Sequence, residues 1–233
     1  MVRSFDLAAL PSMPTLSARC LRTFVALVAV FACAAPLFAG DDEIVSEFRK
    51  YFKQYKDSAT RVEAVMSLDG ADKADAPHPD VVDALLPVLK IEDVDVVRAA
   101  VRVLSKLKSD AAKQAVFAAL EANKDEPVRS GLLRAITEGK YVGAAESIKL
   151  LLTDKSWELR RRAIEALASG GDVLVCDVIA PLCLDPEPGV KTTAFEAWSS
   201  MKSTLVIKPA IAALNDEVWQ VRQASITALK RVR

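Results

Sequence analysis

Residues 154–167, DKSWELRRRAIEAL, are followed 31 positions later by 185–198, DPEPGVKTTAFEAW, and after 31 more by 216–229, DEVWQVRQASITAL. Stepping back by the same interval gives NKDEPVRSGLLRAI at 123–136. An aliphatic residue followed by a basic one recurs as Val97-Arg98, Val128-Arg129, Leu159-Arg160, Val190-Lys191 and Val221-Arg222. Five residues before each aliphatic member stand Glu92, Asn123, Asp154, Asp185 and Asp216. Two apolar columns keep the same register, Leu89, Leu120, Leu151, Leu182, Ala213 and Leu86, Phe117, Ile148, Ile179, Ala210. A fixed period of this size marks an array of stacked units, each too small to bury its own apolar face.

Each unit reads as two helices. Ile148, Leu151 and Leu152 carry helical spacing in the first helix of one unit, and Ala163, Ile164 and Leu167 do so in its second. The next second helices repeat this as Ala194, Phe195, Trp198 and as Ser225, Ile226, Leu229. Low glycine and aromatic content agrees, because Ala and Leu lose little freedom in a helix. The unit at 92–104 departs: Arg102 falls where Ile164 stands, so its stripe is shifted by one residue. The turns carry stop and start residues, as in Glu138-Gly139-Lys140 and Gly170-Gly171-Asp172. The fold expected is all-α, a right-handed α-solenoid of about six antiparallel helix pairs. Residues 41–68 are its N-terminal capping pair, 69–79 a polar loop that breaks the register, and 79–233 five repeats of period 31.

The aliphatic-basic column, the acidic column and the Ala/Leu stripe together resemble HEAT repeats. The short unit is similar to the HEAT-like repeats of phycobilisome lyases. Pro87, Pro181 and Pro209 inside first helices fit, since HEAT first helices often carry a kinking proline. The resemblance implies partner binding through the groove lined by the inner rank of helices. It speaks for fold far more than for function.

Residues 1–40 read as an address. Arg19 and Arg22 precede an uncharged run, TFVALVAVFACAAPLFA at 23–39, with the small residue Ala39 at its exit. Basic, apolar and small in that order describe a secretory signal peptide. Starting at Met13 instead of Met1 would give an n-region of more usual size. Export to a bacterial periplasm or the extracellular space follows, with a retained N-terminal membrane anchor as the alternative. Cys33 resembles a lipidation site only loosely, since Phe31 does not suit the motif.

The chain carries 31 basic and 31 acidic side chains; without residues 1–40 the balance is 28 to 30, a net charge of −2. A nucleic-acid grip needs a basic excess, so that partner class is excluded. Cys176 and Cys183 lie seven apart on one helix, too far for a bridge, and read as buried thiols. His78 is the single histidine. One histidine and two separated thiols hold no ordinary metal, and no Gly-rich phosphate loop is present, so neither cofactor nor catalytic residue is assigned.

The ladder Arg98, Arg129, Arg160, Lys191, Arg222 is read as structural: it pairs with the nearby column Glu92, Asn123, Asp154, Asp185, Asp216 and braces the inter-helix turn. Trp157 and Trp219 stand at equivalent positions, and paired aromatics can clamp a partner, although packing is the commoner use. The C-terminal flank, with Ile226 and Leu229, offers a surface for self-association. The function expected is an exported, non-catalytic scaffold for a protein partner. The alternatives are an enzyme or enzyme subunit of the HEAT-like lyase type, and a membrane-tethered envelope element.

Overall fold

Local chemistry decides where each helix starts. Asp57 accepts the N–H groups of Ala59 and Thr60 at 3.1 and 3.0 Å, and Asp93 accepts those of Asp95 and Val96. Ser109 Oγ accepts Ala112 N–H at 3.0 Å. These side chains satisfy amides that the first helical turn leaves unpaired. In three later units an aspartate three residues ahead of the first helical residue does similar work: Asp154, Asp185 and Asp216 take the N–H of Ser156, Glu187 and Val218, each at 2.9 Å.

The computed structural model describes residues 41–171, 175–201 and 204–231. The proposed leader, residues 1–40, lies outside the described residues. Twelve α-helices form six pairs among the described residues. They are α1 (Asp41–Tyr51) with α2 (Ser58–Met66), α3 (Asp80–Leu85) with α4 (Val94–Leu104), and α5 (Asp110–Ala122) with α6 (Glu126–Gly139). Then follow α7 (Ala145–Lys149) with α8 (Trp157–Ser169), α9 (Cys176–Ile179) with α10 (Pro188–Met201), and α11 (Ile207–Ala213) with α12 (Trp219–Arg231).

Several first helices tighten into 3₁₀ geometry. Pro87 precedes Val88–Lys90, and Pro181 lies within Ala180–Leu184. A proline removes one backbone donor and disfavours the α conformation just before it. Leu150–Thr153 tightens with no proline, and Pro209 sits inside α11 without breaking it. Proline is therefore one cause of these breaks and not the general one.

First helices pack on first helices and second helices on second, with the second rank the more tightly packed. In five of the six pairs the second helix is the longer, which gives that rank more surface to pack along the stack. The core runs continuously between the ranks. Trp198 and Phe195 of α10 are fully enclosed, and Trp198 Nε1 donates to Cys176 O at 3.0 Å. Cys176 and Cys183 are buried and not joined in a disulfide, and burial pushes the Cys183 thiol up to about 12.

The shifted stripe at α3–α4 extends further than the second helix. Leu85 and Val96 are fully buried there, while Leu86 and Val97, their neighbours in the strict columns, are only partly covered. At the end of α6 the residue roles are exchanged. Gly139 stays in the helix, and Lys140 takes the left-handed conformation at φ 50°. Glycine usually fills that second position. Here it is needed one residue earlier: a Cβ on Gly139 would collide with the Tyr141 ring and lie 2.6 Å from Ser105 O.

Ser199 is the one buried hydroxyl among the described residues without a hydrogen-bond partner. An orphaned buried donor destabilises, whereas an apolar side chain of similar size does not. Ser199→Ala is expected to raise stability by about 1 kcal/mol, read as a higher midpoint in urea unfolding at unchanged slope.

Candidate partner-binding face

The ladder links layers. Arg129 Nη1 meets Asp154 Oδ2 at 2.9 Å, Arg160 grips Asp185 with Nε and Nη2 at 2.7 and 2.8 Å, and Lys191 Nζ meets Asp216 Oδ2 at 2.6 Å. Each carboxylate lies 25 residues ahead, in the following layer. The brace within a layer comes from the backbone. Arg61, Arg129, Arg160 and Arg222 donate to the carbonyls of Tyr55, Asn123, Asp154 and Asp216, each six residues earlier.

Two expected members stand outside these rungs. Arg98 would find Asn123 at its partner position, which offers no charge, and it pairs instead with Asp95 at the surface. Glu92 is exposed, and Asp93 takes its place as the cap of α4, with Arg61 close enough to lower its carboxyl further. The Asp93 carboxyl lies below its ordinary value chiefly through a hydrogen bond from the Ser58 side chain. Asp185 shows two opposed influences: burial raises its carboxyl, and the Arg160 and Glu187 hydrogen bonds outweigh it, leaving it below the ordinary value.

With these arginines engaged between layers, another one stands out on the second-helix face. Arg160, Arg161 and Arg162 are consecutive on α8. Arg161 pairs with Glu165 at 2.7 Å, and on α6 Arg134 meets Glu138 at 3.5 Å. Arg162 has no such partner: its Nε is enclosed and makes no hydrogen bond. Burial lowers the Arg162 guanidinium from its ordinary value, and Arg161 and Arg134 add to this while Glu165 and Glu158 offset it in part. Arg134, Thr137, Glu138, Arg162 and Glu165 line a cavity of about 170 Å³ between the two helices. This residue was not legible beforehand. Its only sign was an arginine run longer than the column requires.

Trp157 and Trp219 lie on the rim where second helices begin. Trp157 reaches the next layer, since a Cβ on Gly189 would touch its ring at 3.6 Å. Trp219 has no later layer beside it among the described residues and is 62 % exposed, against 41 % for Trp157. Ile226 and Leu229 are partly covered. Among the described residues no group of three or more His, Cys, Asp or Glu side chains is placed to hold a metal, and no helix is long and apolar enough to cross a membrane.

No curated protein matches the sequence. Among solved structures, the Escherichia coli protein YibA is similar, with 17 % identity, coverage of 85 % of this chain and 79 % of that one, and a TM-score of 0.54. A designed armadillo repeat protein in complex with the peptide (KR)4 is similar at 14 % identity, covering 84 % of this chain and all of that one, with a TM-score of 0.53. At such identities the likeness is one of fold. The sequence itself matches HEAT repeats over residues 45–137 and 145–230. By that match, which takes in three of the six helix pairs whole and all but a few terminal residues of the other three, the chain belongs to the HEAT repeat family.

Proposed function

We propose that this chain is a binding scaffold whose second-helix face receives a protein segment bearing carboxylates. The observation that carries this is Arg162, a cation with its Nε enclosed and unsatisfied, set in a small cavity between α6 and α8. A buried donor without a partner is unfavourable in the free protein. A carboxylate entering from a bound segment would relieve it through a charge-assisted hydrogen bond. The designed armadillo protein holds a basic peptide; here Arg162 Nε, with Arg134 and Arg161 already paired to glutamates, calls for an acceptor instead. Export, read from residues 1–40, belongs to the same proposal, and N-terminal sequencing of the protein recovered from its host tests it.

Fluorescence anisotropy of the full chain against acidic, neutral and basic peptides tests the face. Acidic peptides are expected to bind at least ~10-fold tighter than neutral ones, and Arg162→Met to abolish that preference. The melting temperature of Arg162→Met should hold or rise, because an enclosed N–H without an acceptor is removed. Equal binding of all three peptide classes, or an unchanged preference in the variant, would defeat the reading.

A further inference from the structure

A second site lies away from the α6–α8 cavity, at the edge formed by the turns between pairs. Residues 105–108 after α4, the first turn of α5 and residues 139–142 at the end of α6 line an open cavity of about 480 Å³. That lies within the range of small-molecule sites. Four lysines line it: Lys106, Lys108, Lys113 and Lys140. Two are neutralised locally, Lys106 by Asp69 at 2.5 Å and Lys113 by Asp110 at 3.4 Å. Neither Lys108 nor Lys140 has an ion pair among the described residues, so the cavity keeps two uncompensated positive charges.

Three features make this more than a patch of surface lysines. Its floor is rigid: Tyr141 is buried, its hydroxyl donates to Leu104 O and accepts Leu107 N–H at 3.1 Å. Its wall is pinned from a third direction, because the buried Asp72 carboxylate takes the N–H groups of Lys108 and Ser109 at 2.7 and 2.8 Å. Lys140 also occupies a left-handed backbone position that glycine fills with less strain. Lys113 Nζ stands 5.9 Å from the Tyr141 ring centroid, which fixes a further cation over the floor.

We propose that this cavity binds a small dianion of the phosphate class, with Lys108 and Lys140 as the charges it neutralises. Two lysines without an ion pair on one cavity match two negative charges, and the braced backbone leaves little to reorganise on binding. The inference is independent of the arginine face on α6 and α8.

Isothermal titration of the full chain with pyrophosphate, at ionic strength held constant with sodium chloride, tests it. Lys140→Gly relieves the left-handed strain, and Lys108→Ala keeps the backbone N–H that Asp72 binds, so the double variant should remain folded by circular dichroism. Binding by the unaltered chain is expected, weakened at least ~10-fold in the double variant and unchanged in Arg162→Met. Absence of binding heat with the unaltered chain, unchanged affinity in the double variant, or loss in Arg162→Met would overturn it.

Discussion

Replacing Asp72 by alanine should lower the melting temperature by about 8–16 °C, the equivalent of ~4 kcal/mol in a unit of this size. Asp72 is 3 % exposed and accepts four hydrogen bonds, from Ser109 Oγ, Ser109 N–H, Lys108 N–H and His78 N–H. It ties the long loop after α2 to the turn between α4 and α5. Its loss removes the acceptor of four donors, two of them in buried hydrogen bonds. In an array each layer touches only its neighbours, so the damage should stay local. Hydrogen exchange is expected to quicken in α2 and at the start of α5 and to stay unchanged in α12. A uniform increase along the chain would contradict that account.

The same carboxylate sets a pH dependence. Burial alone raises the Asp72 carboxyl, but the bonds from Ser109, His78 and Lys108 outweigh it and hold it below the ordinary value. A carboxyl lowered by folding adds stability above its unfolded value of about 4, and that stability is lost as pH falls through the folded value. Asp185 and Asp216 shift in the same direction, so the protein should lose stability in acid below about pH 4. Asp72→Asn should narrow the difference between pH 7 and pH 3, because its side chain has no charge to lose.

The fold was legible because periodicity records burial. Residues that recur every 31 positions are those the stack encloses, and Leu89, Leu120, Val128 and Val190 are all buried. Where the register slips by one residue, as at Leu85 and Val96, a strict column names the wrong neighbour. Asp72 was invisible for a different reason: its partners at Lys108 and Ser109 are 36 and 37 residues away, and it sits in a loop outside the repeat. Arg162 and Lys140 stayed hidden because their meaning lies in what they lack. An arginine without a carboxylate and a lysine with positive φ look ordinary in sequence.

The Arg160–Asp185 rung should show the strongest coupling between layers. Both side chains are largely enclosed, at 13 % and 5 % exposure, and the pairing is bidentate. Asp185→Ala removes both contacts and the acceptor for Glu187 N–H, leaving a covered guanidinium with only the Asp154 and Lys155 carbonyls. A loss of about 3 kcal/mol is expected, or ~6–12 °C in melting temperature. Burying charges is itself unfavourable, so the single variant overstates what the pair contributes. A double-mutant cycle with Arg160→Ala isolates the coupling, expected at ~1.5–3 kcal/mol. The single contact of Lys191 with Asp216 should give less, and the exposed pair of Arg98 with Asp95 about 0–0.5 kcal/mol. This order follows enclosure and bond number, while all three cations occupy one sequence column. Equal coupling in the three pairs would mean that formal charge, and not enclosure and local fit, governs their strength.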